Sequence, residues 1–189
     1  MKALVFDYGA GNLHSLARAL EAIGVTPTIE ADPVACARSS ELLVLPGVGA
    51  FGAAVERLAP GRAALREELL SGRPCLGICL GLQLFFDSSE EGGGAGLGVI
   101  PGAVTRLTSK RCPHIGWTKV DGLPEMYFAH SFACRPVDPS LVSAWATHDG
   151  DRIAAIVKHK NLVGTQFHPE KSSTAGLALL ERLIHEVTS

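Results

Sequence analysis

The sequence predicts an α/β fold: a mostly parallel sheet with flanking helices, and additional antiparallel strands in the second half. Three observations carry this. The first half alternates short, continuous apolar runs with helical patterns, as strands covered on both faces require. The second half replaces that alternation with short strand patterns separated by turn signals. Between them, residues 73–86 (R-P-C-L-G-I-C-L-G-L-Q-L-F-F) run from an apolar strand into a helical pattern with no linker. No internal repeat divides the 189 residues, a length that fills one core, so a single domain over 1–189 is expected.

Residues 3–6 (A-L-V-F) form the first buried strand. After a glycine-rich turn at 7–12, Leu13, Leu16, Ala17, Leu20 and Ile23 recur at helical spacing, and Gly24 is a plausible stop. A second strand is predicted over 26–29, then a short turn or helix capped at Asp32 and Pro33. Residues 41–45 (E-L-L-V-L) give the third strand, ended by Pro46. Helices over 50–58 and 62–70 are broken by Pro60 and Gly61. Cys75–Ile78 is the fourth strand, and a helix is predicted over 80–86. Residues 90–98, rich in glycine, are expected to be a flexible loop. Short strands follow over 99–107, 115–120, 126–130, 142–147, 153–158 and 162–167. An amphipathic helix over 172–187 closes the chain, with Ser172 and Ser173 as caps.

Composition excludes several classes. A net charge of −2 gives no case for binding nucleic acid or an anionic membrane. No apolar run reaches the length of a membrane span. Residues 1–7 lead directly into a strand pattern with no basic segment or cleavage site. Five cysteines, an odd number without framework spacing, fit a reduced, cytoplasmic setting. Cys75 and Cys79 are spaced C-x-x-x-C, which weakens a zinc or redox reading, and no metal or cofactor is expected.

Cys79 sits at the strand–helix junction with Gly77 and Gly81 two residues to either side. G-x-nucleophile-x-G at such a junction is a nucleophile elbow, and a helix start favours a thiolate. A buried core thiol is the competing reading. Near the C-terminus, G-T-Q-F-H-P-E-K-S at 164–172 follows a strand pattern and precedes a helix. His168 and Glu170 share one face of an extended segment, where the carboxylate fixes the imidazole's tautomer and raises its basicity. That is the base and orienter of a triad, with Cys79 as nucleophile. Alone, H-P-E reads first as a surface histidine beside a capping glutamate at a helix start; the cysteine elbow is what strengthens the triad reading.

Two glycine-rich turns are decoys. P-G-V-G-A-F-G at 46–52 matches a dinucleotide fingerprint, but the acidic positions about twenty residues on, Glu67 and Glu68, fall in a helix. Such a turn can instead present backbone N–H groups to an oxyanion, or be a tight turn and nothing more. D-Y-G-A-G-N-L-H at 7–14 places His14 where close packing needs glycine. A zinc deaminase fails because order and spacing of H-x-E and P-C-x-x-C are both wrong. His114 (P-H-I-G-W) and His130 (Y-F-A-H-S-F) read as structural or as pocket residues.

Taken together, G-I-C-L-G-L-Q, P-G-V-G and H-P-E resemble the class I, triad-type glutamine amidotransferases. D-Y-G-A-G-N-L, P-H-I-G-W, Y-F-A-H-S-F and G-T-Q-F-H-P-E-K-S are more narrowly similar to the glutaminase subunits of imidazole glycerol phosphate synthase. The resemblance spans Asp7 to Ser172, in order. It implies a flavodoxin-like open sheet and glutamine hydrolysis by Cys79, His168 and Glu170. It implies oxyanion donors at Leu80 and in Gly47, Val48 and Gly49, and substrate contacts from Gln83, Ser131 and Phe132. It further implies a heterodimer with a (β/α)8-barrel cyclase subunit, contacted by Asn12, Trp117, Tyr127 and Lys171, that receives the ammonia. Cyclase-ligand binding is expected to activate the glutaminase through the P-G-V-G peptide.

Thr118 stands where the family commonly has Asn, 131–134 (S-F-A-C) replaces a more aromatic stretch, and the loops near 120–125 and 136–143 look trimmed. Rival readings are a glutaminase serving another synthase, a non-catalytic binding subunit of this fold, and a stand-alone cysteine hydrolase. P-G-V-G-A-F in place of P-G-G-E-S-T disfavours the pyridoxal phosphate synthase among the first.

Overall fold

The computed structural model describes residues 1–189. The first half runs β1 (Lys2–Phe6), α1 (His14–Ala22), β2 (Thr26–Glu30), α2 (Pro33–Arg38), β3 (Leu42–Leu45), α3 (Phe51–Leu58), α4 (Arg62–Leu70), β4 (Cys75–Ile78) and α5 (Leu80–Gln83). The second half adds β5 (Ser88–Ser89), β6 (Gly102–Arg106), β7 (His114–Lys119), β8 (Glu125–His130), β9 (Phe132–Pro136), β10 (Val142–His148), β11 (Asp151–His159), β12 (Leu162–Thr165) and α6 (Ser173–Thr188). Seven strands form one sheet in the order β10-β11-β12-β4-β3-β1-β2. From β2 to β12 all pairings are parallel, and β11 and β10 extend the sheet antiparallel. The parallel part has the flavodoxin-like order. The expected α/β class holds.

Strands covered on both faces divide their side chains between two layers, and these do. Ala3, Val5, Leu42, Val44, Leu76 and Ile78 pack on one face with α1 and α6. Leu4, Phe6, Leu43, Leu45 and Cys75 pack on the other with α2, α3 and α4. The loops that leave the C-terminal ends of β1, β3, β4 and β12 carry the sequence motifs, so the parallel register gathers them at one edge of the sheet.

Several expectations need correction. The helix over 80–86 stops at Gln83, because the carbonyls of Leu84, Phe85 and Phe86 accept N–H groups from residues 97–100 instead of continuing the helix. The 90–98 stretch is not a free loop: Leu97 is buried, and Glu91 hydrogen bonds the start of α3. The strand over 99–107 narrows to β6, since Val99 and Ile100 form the turn back onto Phe85. Strand β9 was missed altogether; F-A-C-R-P has no alternation and ends in proline, yet it pairs with β6 along its full length. Neither Ser172 nor Ser173 caps α6 by its side chain: α6 has no side-chain cap, and the Ser172 hydroxyl is turned inward.

Candidate active site

Cys79 leaves β4 with φ +47° and ψ −99°, a conformation that persists only where the surroundings enforce it. The enforcement is close backbone packing. A Cβ on Gly81 would lie 1.9 Å from the Leu45 carbonyl oxygen, and one on Gly77 would lie 2.6 Å from the Gly81 backbone. The expected elbow is therefore present. Thr165 accepts the Cys79 N–H at 2.6 Å, tying the elbow to the end of β12. Leu80, at the first position of α5, has no acceptor for its N–H within the helix.

One turn of helix supplies little dipole, so support for a thiolate must come from side chains. Gln166 Nε2 donates to Cys79 Sγ at 3.5 Å. Gln166 is fully buried and its Oε1 has no partner, so the amide has no role visible other than at the sulfur. The sequence reading passed over this residue, although it lies two positions before His168 in a motif already singled out.

His168 Nδ1–H donates to Glu170 Oε1 at 2.8 Å, with both side chains buried. That pairing leaves Nε2 for the sulfur. Burial alone pulls the imidazole's pKa down, but hydrogen bonds to Cys79 and Glu170, and the charge of each, outweigh it and raise it to about 10. The arrangement thus favours an imidazolium between the Cys79 sulfur and the Glu170 carboxylate. Ser172 fixes the turn from behind: its hydroxyl donates to the His168 carbonyl at 2.6 Å and accepts the Tyr127 N–H at 2.9 Å. Tyr127 returns the contact, its carbonyl accepting the His168 N–H at 2.8 Å.

The 46–49 turn lies across this pair. A Cβ on Gly47 would meet His168 Cε1 at 2.8 Å and Cys79 Cβ at 2.9 Å, so only glycine lets the backbone pass. A cavity of about 250 Å³ opens over Cys79, and Gly47, Gly49, Leu80, Gln83, Ser131 and Phe132 all line it. Val48 does not; its side chain packs toward Gly11. Glu91 is the one carboxylate in the lining and was missed, because its glycine-rich setting reads as loop. Its Oε2 accepts the Phe51 N–H at 2.9 Å, which anchors it at the start of α3.

Of the four residues expected at a partner surface, Asn12, Trp117 and Lys171 are exposed and Tyr127 is partly so. Trp117 and Tyr127 meet edge to face across the β7–β8 hairpin, with ring centroids 6.0 Å apart. Ile115, on the same face as Trp117, is 64% exposed.

The family model for class-I glutamine amidotransferases matches residues 4–187. This chain belongs to that family. Among curated relatives, the imidazole glycerol phosphate synthase subunits HisH of Gloeothece citriformis (40% identical) and Synechocystis (42%) each match 97% of this chain and 95% of their own length. HisH of Acaryochloris marina is 42% identical over 97% of this chain and 94% of its own. A solved glutamine amidotransferase aligns with 98% of this amidotransferase chain and 99% of its own, at TM-score 0.75 and 17% identity. PurLQS from Thermotoga maritima aligns at TM-score 0.69 and 20% identity over 98% of both chains. At those identities the two structures speak to the fold alone. No helix is long and apolar enough to cross a membrane.

Proposed function

We propose that this chain, acting as one catalytic domain, is the glutaminase subunit of an imidazole glycerol phosphate synthase of histidine biosynthesis. It hydrolyses glutamine to glutamate and ammonia and passes the ammonia to a cyclase subunit. The observation that carries the reading is the strained Cys79 under a small cavity, with His168 and Glu170 aligned behind it. The HisH relatives, matched over nearly their whole length, supply the choice of synthase.

In this reading the Cys79 thiolate adds to the side-chain amide carbonyl of glutamine. N–H groups at Leu80 and in the Gly47–Gly49 segment hold the resulting oxyanion. His168 protonates the departing nitrogen, and ammonia leaves a glutamyl thioester. His168 then takes a proton from water, which adds to the thioester; collapse releases glutamate and restores the thiolate. Glu170 holds the imidazole's orientation throughout, and Gln166 steadies the sulfur. Gln83, Ser131, Phe132 and Glu91 hold the amino-acid end, Glu91 being the group suited to the α-ammonium. Ammonia set free in water is protonated and diluted, which favours a sequestered path to the acceptor. The acceptor subunit is a (β/α)8 barrel docked over Asn12, Trp117, Tyr127 and Lys171, and the compartment is the cytoplasm.

The test is glutamate release by the purified chain alone, with the cyclase subunit, and with the cyclase plus its nucleotide ligand, against a Cys79→Ala blank. Weak activity alone and a large rise with the liganded partner support the reading. Strong activity indifferent to the cyclase keeps the triad and discards the partner.

A further inference from the structure

Thr118, His114, His130 and Phe132 are joined by three hydrogen bonds whose direction is fixed. The Phe132 carbonyl can only accept, so His130 Nδ1, 2.8 Å away, carries a proton and donates. In the neutral ring His130 Nε2 is then an acceptor, and His114 Nδ1, at 3.0 Å, donates to it. His114 Nε2 in turn accepts from the Thr118 hydroxyl at 2.8 Å. Both histidines are buried, and the His114 ring is stacked upon by Phe128 and by His148, so it cannot turn to rearrange the pattern. The chain ends on a carbonyl that serves a second donor: Gln83 Nε2 donates to the same Phe132 oxygen at 3.0 Å. Gln83, His130, Ser131 and Phe132 all line the cavity over Cys79.

We propose that Thr118, His114 and His130 form a one-way hydrogen-bond chain that positions the Ser131–Phe132 wall and Gln83 for the amino-acid end of the substrate. The three are positioning residues, and the inference rests on the glutaminase reading. The Phe132 carbonyl sets the polarity, and Thr118 closes the far end by donating to His114 Nε2. Without that hydroxyl, His114 Nε2 is a buried acceptor with no donor, and the ring is released from its place against His130. His130 keeps its proton on Nδ1 but loses the donor that holds its Nε2, so its bond to the Phe132 carbonyl loosens. The wall is held less firmly, while nothing touching Cys79 changes.

Thr118 is half-buried at one end of the chain, so its variants are expected to fold. In the full chain carrying Cys79→Ala to prevent turnover, glutamine affinity is measured by calorimetry for Thr118→Val and Thr118→Ser. Histidine tautomers are read in the same proteins by ¹⁵N imidazole spectra. The expected result is an affinity about fivefold weaker in Thr118→Val, the scale of one hydrogen bond. The His114 Nε2 resonance moves to that of a lone pair without a donor while His130 keeps its Nδ1 proton, and Thr118→Ser restores both the affinity and the resonance. Unchanged affinity or an unmoved His114 Nε2 resonance in Thr118→Val overturns the positioning role while leaving the glutaminase reading intact. Failure of the folded Thr118 parent to bind glutamine overturns the glutaminase reading, and this role with it.

Discussion

His168 and the His114–His130 pair are the same side chain in similarly buried places, within one small site, yet they are driven to opposite charge states. Burial disfavours the cation in all three. His168 is raised to about 10, against burial, because the Cys79 sulfur and the Glu170 carboxylate face it. His114 is lowered to about 3, by burial first and then by His130 and His148, and His130 to about 4, by burial that the Phe132 carbonyl only partly offsets. What differs is the partner. An anion retains the imidazolium, while another imidazole, which must be met by lone pair on one side, demands neutrality. One site thereby holds a proton ready at Cys79 and an uncharged framework along its wall.

Removing the carboxylate should break the comparison most forcefully. Glu170→Gln is expected to lower kcat by about 10³–10⁴-fold, the scale of losing the orienting acid of a triad. The His168 titration should also move down toward that of the neutral pair. An imidazole NMR titration that stays near its wild-type midpoint in Glu170→Gln would show that the carboxylate is not what holds the proton. Next in size is the sulfur's amide donor: Gln166→Leu should slow glutamine turnover by about tenfold, as for one hydrogen bond to a charged group. The rate of Cys79 alkylation at neutral pH, compared between the two proteins, checks it.

The two kinds of histidine should also mark opposite limbs of the stability profile. His114 and His130 bind protons less readily folded than unfolded, so stability should fall as pH drops from about 6.5 toward about 3. His168 binds its proton more tightly when folded. Its contribution is complete below about 6.5 and should be lost as pH rises toward about 10. The groups facing the neutral pair are His148, Arg111, His168 and Asp151, of which only the last favours protonation. Denaturant midpoints across this range, for wild type and His130→Asn, should show a flatter acid limb in the variant. His148→Phe should have the smallest effect: the stack on His114 survives, one repulsive charge goes, and the acid limb shifts slightly to lower pH.

Most of the parallel half was legible because its strands are covered on both faces, which writes them as unbroken apolar runs. Arg62–Leu70 and Cys75–Ile78 fall where the sequence places them. Cys79, His168 and Glu170 were legible because each lies in a short motif at a strand end, and a parallel register brings strand ends together. What was lost depends on distant pairing. Residues 84–86 read as helix until residues 97–100 take their carbonyls, and β9 is a strand only because β6 lies beside it. Glu91 and Gln166 carry no local signal of their own: one looks like loop, the other like core. His114 and His130 can each be read as structural or as pocket residues; His130 is both, and His114 is structural, lying behind the cavity lining.

The reciprocal bonds between Tyr127 and the turn bearing His168 have a kinetic side. The Tyr127 and His168 amides are each held by an acceptor on the other's segment, so neither can exchange with solvent until the hairpin and the turn part. The two amides should therefore exchange together, and the free energy of that shared opening sets how rarely the imidazole drifts out of line with the sulfur.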